Sequence, residues 1–144
     1  MGLLRIARTP LVTVRPDATV MHAVQRMVQE SIGAIAVTDG KHLLGMFSER
    51  DLMLRVVVDK RDPERTRVGD VMTSPVETIR RESTADDALK LMLEKHIRHL
   101  PIVETDGRLA GMISIRSLLH DKVEDLTVQL DSLEAYFTAD GCGG

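Results

Sequence analysis

Aromatic side chains are almost missing from this chain: two Phe, one Tyr and no Trp in 144 residues. Val, Ile, Leu, Ala and eight Met must fill the core, and Met is an adaptable filler that needs no cofactor to explain it. Without aromatics there is no base-stacking platform, and a formal net charge of −3 supplies no basic field, so the composition argues against a nucleic-acid partner. A single cysteine, Cys142, excludes an intramolecular disulfide and a multi-thiolate metal site. It stands in the run Gly141-Cys142-Gly143-Gly144 and reads as a free thiol on a mobile end. No apolar run is long enough to span a bilayer, since Leu52 to Val58 is short and interrupted by Arg55. The N-terminus shows no signal-peptide apolar region, so no membrane is expected and the location expected by default is cytoplasmic.

What is present is a repeat. Thr13-Val14, Thr19, Ala23, Met27 and Ile32 recur 65 positions later as Thr78-Ile79, Thr84, Ala88, Met92 and Ile97. Gly45-Met46-Phe47-Ser48-x-Arg50-x-Leu52 recurs 66 positions later as Gly111-Met112-Ile113-Ser114-x-Arg116-x-Leu118. A period this long means two copies of one small unit rather than a solenoid. Two such copies imply a pseudo-twofold axis with a cleft along it. Units of about 60 residues are marginal alone, so the copies are expected to share a core.

Each copy reads β-α-β-β-α. Leu11 to Val14 is a short strand, and a helix over 18–30 carries a stripe of Val20, Ala23, Val24, Met27 and Val28. Ala34 to Val37 is apolar throughout and reads as a strand buried on both faces. Asp39-Gly40 marks a hairpin turn, Leu43 to Phe47 returns, and Ser48 opens a helix toward Val58. In the second copy Val76 to Ile79 is the strand, and the helix over 84–95 carries Ala85, Ala88, Leu89, Met92 and Leu93. Leu100 to Val103 follows, with Pro101 placing its amide side at an edge or bend. Asp106-Gly107 turns the chain into Leu109 to Ile113. The last helix is longer: Leu119, Val123, Leu126, Leu130, Leu133 and Phe137 recur at alternating spacings of four and three, a heptad-like seam suited to another helix. The fold expected is thus α/β (α+β), a tandem pair with pseudo-twofold symmetry and a long C-terminal helix. Its divisions are 1–62, 63–120 and a helix with Gly-rich tail at 121–144.

The sharpest local chemistry is Ser48-Glu49-Arg50-Asp51, a hydroxyl and a carboxylate at a strand-to-helix junction. Helix N-termini favour phosphate, Arg50 adds fixed positive charge, and a carboxylate such as Asp51 can accept from both hydroxyls of a ribose. Ser-x-x-Asp is equally a capping pattern in which both side chains serve the helix itself. The second copy reads Ser114-Ile115-Arg116-Ser117, keeping hydroxyl and arginine but not the acid. Ribose binding therefore expects one good site and one degraded site, whereas capping expects only a weaker helix start. Lys60, Arg61, Arg65 and Arg67 make the segment between copies basic, either a solvated linker or a phosphate-facing strap. His96-Ile97-Arg98-His99 has cationic groups where the first copy has Ser31-Ile32-Gly33-Ala34, fitting a solvated helix end or phosphate contact by Arg98 with His99 beside it. No carboxylate or thiol completes a metal set with the histidines, and no catalytic constellation is visible, so no enzyme activity is expected.

The duplicated unit, the Gly-h-h-Ser-x-x-Asp end and the h-Pro-h-h strand resemble the cystathionine β-synthase (CBS) domain pair, or Bateman module, over about Leu11 to Leu119. Ser48 to Asp51, Thr66 to Thr73 and Ile97 to Pro101 resemble the stand-alone proteins of that family. The resemblance implies a regulatory energy or metabolite sensor that binds AMP, ADP, ATP, NAD(H) or S-adenosylmethionine between the copies, with no required cofactor. It places the first hydroxyl–acid pair at Ser48 and Asp51, and the second at Ser114 and Ser117, with Ser117 where the acid would stand. Arg50, Thr66, Arg67, Arg98, His99 and Arg116 are the implied polar contacts; Ile32, Val68, Met72, Ile97 and Met112 are the implied apolar and backbone contacts to the base. It also implies a homodimer and a regulated enzyme partner. The alternative is a homodimerising interaction module that modulates a partner enzyme without any ligand.

Overall fold

Thr19 and Thr84, 65 residues apart, start the same helix twice in the computed structural model, which describes residues 2–140 and side chains through residue 136. Thr19 accepts from the His22 amide at 3.1 Å; the Thr84 hydroxyl oxygen accepts from the Asp87 amide and the Asp87 carboxylate accepts from the Thr84 amide, both at 3.1 Å. These caps satisfy amides that the first helical turn leaves unpaired. Helix α1 (Val20–Glu30) and helix α4 (Ala85–Lys95) both end in a left-handed residue, Ser31 and His96, again 65 apart. His96 is thus an exposed helix cap rather than part of a ligand set.

Strand β1 (Thr13–Val14) runs parallel to β2 (Ala34–Thr38), which pairs antiparallel with β3 (Leu43–Ser48). Strands β4 (His99–Val103) and β5 (Leu109–Ser114) repeat the hairpin. The expected strand over Val76 to Ile79 is not formed: only an isolated bridge joins Ile79 to Ile102. Pro101 supplies the reason. Its carbonyl accepts from Ile79 at 3.0 Å, so its nitrogen faces the same side, where the first copy has Ala36 paired with Thr13. Proline has no N–H to give there, and the pairing shrinks to one residue.

Helix α2 (Glu49–Asp51) continues as a wider π-type turn over Leu52–Val57, and helix α3 (Val68–Val71) follows the charged linker. Helix α5 (Ile115–Asp140) is a single run of 26 residues. The expected helix stripes are narrower than read. Val20, Ala23 and Met27 are buried in α1, and Ala88 and Met92 in α4, but Val28 and Leu93 face outward at 74% and 61% exposure. Position i+8 lies about 80° around the helix from i, beyond what so small a sheet covers.

The two cores are interlocked. One collects Val14, Val20, Ile35, Val37 and Phe47, together with Val68 and Val71 from beyond the linker. The other collects Ile79, Met92, Leu100, Ile102, Ile113 and Leu118, together with Leu3 from the first turn (Leu3–Arg5), while Ile6 and Ala7 pack on it. Leu3, Ile6 and Ala7 stand 65 before Val68, Val71 and Met72, so each copy lends its lead-in segment to the other's core. Thr73 exchanges backbone bonds with Met46 at 2.8 and 3.0 Å, and Arg8 repeats one of them with Met112 at 3.0 Å. The hairpin glycines permit this approach. A Cβ on Gly45 would lie 2.7 Å from the Thr73 carbonyl oxygen, and one on Gly111 3.1 Å from Leu4.

The copies meet along Ala34, Ala36, Met46 and Met112, and the bridge between His42 and Arg108, 66 apart, marks the pseudo-twofold axis. Apolar side chains fill the centre along that axis.

Candidate functional site

The two helix starts that follow β3 and β5 lie away from that sealed centre, and they differ. At the first, the Glu49 amide donates to the Gly33 carbonyl at 3.0 Å and Ser48 caps the helix. Oδ2 of Asp51 accepts from the Ser48 amide at 3.0 Å and the Ser48 hydroxyl at 3.2 Å, while Ser48 Oγ accepts from the Asp51 amide at 3.2 Å. Both legs of a capping box are present, so the capping reading of Ser-x-x-Asp holds. The other oxygen, Oδ1, accepts from the Thr73 hydroxyl at 2.9 Å and lies 3.8 Å from Arg55 Nε. Asp51 is 7% exposed, a charge held nearly out of water only because each oxygen has donors.

Arg55 extends this cluster. Its Nη1 donates to the Met72 carbonyl at 2.8 Å and reaches the Val71 carbonyl at 3.4 Å. The first helix start is thereby tied to residues 71–73, which carry the chain into the second copy. Neither Arg55 nor Thr73 was among the expected contacts. Arg55 stands four residues after Asp51, the spacing at which helical side chains meet, a signal that could have found it.

At the second helix start, Ile115 donates to the Arg98 carbonyl at 2.8 Å and Ser114 caps through the Ser117 amide at 3.1 Å. The two hydroxyls bond each other at 3.0 Å. No carboxylate occupies the Asp51 position here. Beside it opens a groove of about 450 Å³ lined by Arg5, Ile6, Arg116, Ser117, His120, Asp121 and Glu124. Its charges are largely paired: Arg5 Nη1 meets Asp121 Oδ1 at 2.7 Å, and His120 meets Glu124 at 3.2 Å. The hydrogen bond from Arg5 holds the Asp121 carboxyl below the usual carboxylate range.

The remaining expected contacts are spread. Thr66 is buried, and its hydroxyl donates to the Asp62 carbonyl at 2.8 Å, which closes a linker turn. Val68 is wholly buried and its amide is used by Ala18, while Ile32 and Met72 pack on the same core. Ile97 packs on the other core, and Met112 belongs to the contact between copies. Arg50, Arg67, Arg98 and Arg116 are exposed. None of these four side chains has a hydrogen bond or ion pair among the described residues. His99 is half-buried against Gly33, with its Cε1 3.6 Å from where a Cβ there would stand; Glu49 lines the same spot. Burial pushes the His99 imidazole below its usual range; Glu49 opposes this and Arg98 adds to it. His99 thus faces the first copy, whereas Ser117 and Arg116 border the groove. Among the described residues no His, Cys, Asp and Glu side chains group to hold a metal ion, and no helix is long and apolar enough to cross a membrane.

The CBS domain family model matches this chain twice, over residues 4–58 and 68–124. MK0525 of Methanopyrus kandleri is 32% identical over 115 residues, 79% of this chain and 59% of its own length. The mitochondrial CBS domain-containing protein CBSX3 of Arabidopsis thaliana is 34% identical over 125 residues, 83% of this chain and 60% of its own length. The chain therefore spans about three-fifths of these two relatives. Among solved structures, a CBS-domain protein of Burkholderia ambifaria is 31% identical with a TM-score of 0.78, covering 87% of this chain and 96% of that one. CBSX2 in complex with AMP is 28% identical with a TM-score of 0.70, covering 82% and 91%. PAE2072 of Pyrobaculum aerophilum, complexed with AMP, is 25% identical with a TM-score of 0.73, covering 81% and 89%.

Proposed function

The chain belongs to the CBS domain family and carries two copies of the domain, and from that premise we propose that it is a regulatory module that binds an adenosine nucleotide at its first helix start. The observation that carries this reading is the Asp51 carboxylate, held at 7% exposure with one oxygen partnered only by the Thr73 hydroxyl and a distant Arg55. Two of the structures it resembles hold AMP. A ribose diol brings two hydroxyl donors, and one replaces Thr73 on Oδ1 without leaving the carboxylate short of bonds. Arg50, with no partner among the described residues, supplies a cation for the phosphate. The second helix start has no acceptor-only group, because Ser117 offers a hydroxyl already used by Ser114. One nucleotide per chain follows.

Regulation follows from the same contacts. Thr73 and Arg55 connect Asp51 to the segment that locks the two copies together. A ligand that takes Thr73's place favours whichever arrangement of that segment binds it better, and its differential affinity sets the size of the shift. Thermal unfolding with AMP, ADP, ATP, NADH and S-adenosylmethionine tests the reading. Ligand at a hundredfold over its Kd adds about 2.7 kcal/mol of stability, a rise of roughly 5–10 °C for a chain this size. Asp51→Asn should abolish the rise. Absence of any rise at millimolar ligand, or an equal rise in the variant, refutes the assignment.

A further inference from the structure

The contact between the copies is apolar at its centre but not beside the first helix start. There Glu49, the first residue of α2, and His99, the first residue of β4, converge on Gly33 from opposite copies. A Cβ placed on Gly33 would stand 3.4 Å from Glu49 Oε1 and 3.6 Å from His99 Cε1. Carboxylate and imidazole therefore share one small space that the glycine leaves open. The repeat makes this a feature of one side only. His99 stands 65 positions after Ala34, and Glu49 stands 66 before Ile115. The related place across the axis thus holds Ala34 and Ile115, both apolar. The side with the two ionisable groups is the side with Asp51.

Each partner has chemistry that bears on the other. The Glu49 amide donates to the Gly33 carbonyl at 3.0 Å, which fixes the base of its side chain. The side chain itself is exposed and makes no ion pair among the described residues. His99 is half-buried, and Ser114, opposite it on β5, brings no charge. Burial lowers the proton affinity of the ring; Glu49 from α2 opposes this, and Arg98, just before β4, adds to it. The ring is therefore neutral at pH 7.5 and gains its proton in acid solution. Glu49 is also the chain neighbour of Arg50, the cation offered to phosphate. A phosphate arriving at Arg50 meets the Glu49 carboxylate as a like charge while His99 is neutral. An imidazolium beside that carboxylate offsets it and removes the repulsion.

We propose that Glu49 and His99 form a proton-reading pair across the two copies, in which protonation of His99 offsets Glu49 and tightens nucleotide binding at the first helix start. The tuning rests on the nucleotide reading above; the pairing does not. Linkage makes the effect reciprocal, so bound nucleotide also makes His99 easier to protonate. Titrations with AMP at pH 5.5, 6.5 and 7.5 test the tuning in the wild type and in His99→Gln. The ratio of their Kd values cancels the titration of the ligand's own phosphate, which falls at about pH 6. Kd in His99→Gln over Kd in the wild type should grow at least about threefold from pH 7.5 to pH 5.5. In a Glu49→Gln background the same ratio should change far less. A ratio flat with pH overturns the proposal. So does growth as large in the Glu49→Gln background, which would report an imidazolium bonded to the ligand itself. The pairing is read without ligand, by NMR titration of the His99 ring. Glu49→Gln should move its midpoint down, and an unmoved midpoint overturns the pairing. Absence of AMP binding at every pH, with the midpoint still moved, refutes the nucleotide assignment and the tuning while the pairing stands.

Discussion

Replacing Gly45 by alanine adds one methyl where the second copy's lead-in segment crosses β3. The new Cβ would stand 2.6 Å from Met72 Sδ and 2.7 Å from the Thr73 carbonyl oxygen. The sulfur can swing aside, since Met is flexible. The carbonyl cannot: it is backbone, and it accepts from Met46 at 3.0 Å while the Thr73 amide donates back at 2.8 Å. Relief requires residues 72–73 to move off the strand, at an overpacking cost of about 2–3 kcal/mol. Gly111→Ala makes the matched control. Its Cβ would meet Leu4 Cδ2 at 3.1 Å and Ala7 Cβ at 3.2 Å, side-chain atoms on a short surface turn that can yield. Alanine also loses less backbone entropy than glycine on folding, by about 0.5–1 kcal/mol, so we expect Gly111→Ala to be close to neutral. Urea unfolding of both variants against the wild type should therefore separate them by roughly 2 kcal/mol. Nucleotide affinity should rise in Gly45→Ala alone, because Thr73 moves with its backbone and no longer competes for Asp51 Oδ1. Equal stabilities of the two variants would show that the segments are not locked onto the hairpins as described.

Other expectations follow from the same contacts. Leu3→Ala should cost about 2–5 kcal/mol in denaturant unfolding, as for a fully buried leucine, because Leu3 is 0% exposed within the second core; a cost near zero would place the first turn outside it. Ser117→Asp should restore the missing carboxylate, raise stability by up to about 1 kcal/mol through the completed cap and add a second nucleotide in calorimetric titration; unchanged stoichiometry would show that the carboxylate is not what limits that site. The pH dependence centres on His99, whose folded pKa is lowered by burial. The unfolded chain then binds the extra proton first, so stability is full above about pH 6.5 and declines as pH falls below it toward the folded value. His99→Gln should flatten that decline, measured as Tm between pH 5 and pH 7.5.

Much of the fold was legible in the residues. The 65- and 66-residue offsets matched α1 and the hairpins to their second copies because identical residues sit at caps and core positions. The exchange of lead-in segments escaped notice, since Leu3, Ile6 and Ala7 match Val68, Val71 and Met72 only in being apolar. The lost strand at Val76 to Ile79 was foreshadowed by Pro101, but its consequence depended on which side its nitrogen faces. The site was half legible. Ser48 and Asp51 stand together as their spacing suggests, and Arg55 meets Asp51 at helical i,i+4 spacing, whereas Thr73 reaches Asp51 through a crossing of segments that no local pattern records. The apolar set split because Ile32 and Ile97, equivalent in the repeat, necessarily pack on different cores. Phe137's side chain and Cys142 lie outside the described residues.

The most direct measurement is a crystal structure of the chain grown with AMP. We expect one nucleotide per chain, its ribose hydroxyls on the Asp51 carboxylate and the Thr73 hydroxyl displaced from Oδ1. AMP bound only in the groove beside Ser117, or bound with the Asp51–Thr73 bond intact, would contradict the central claim.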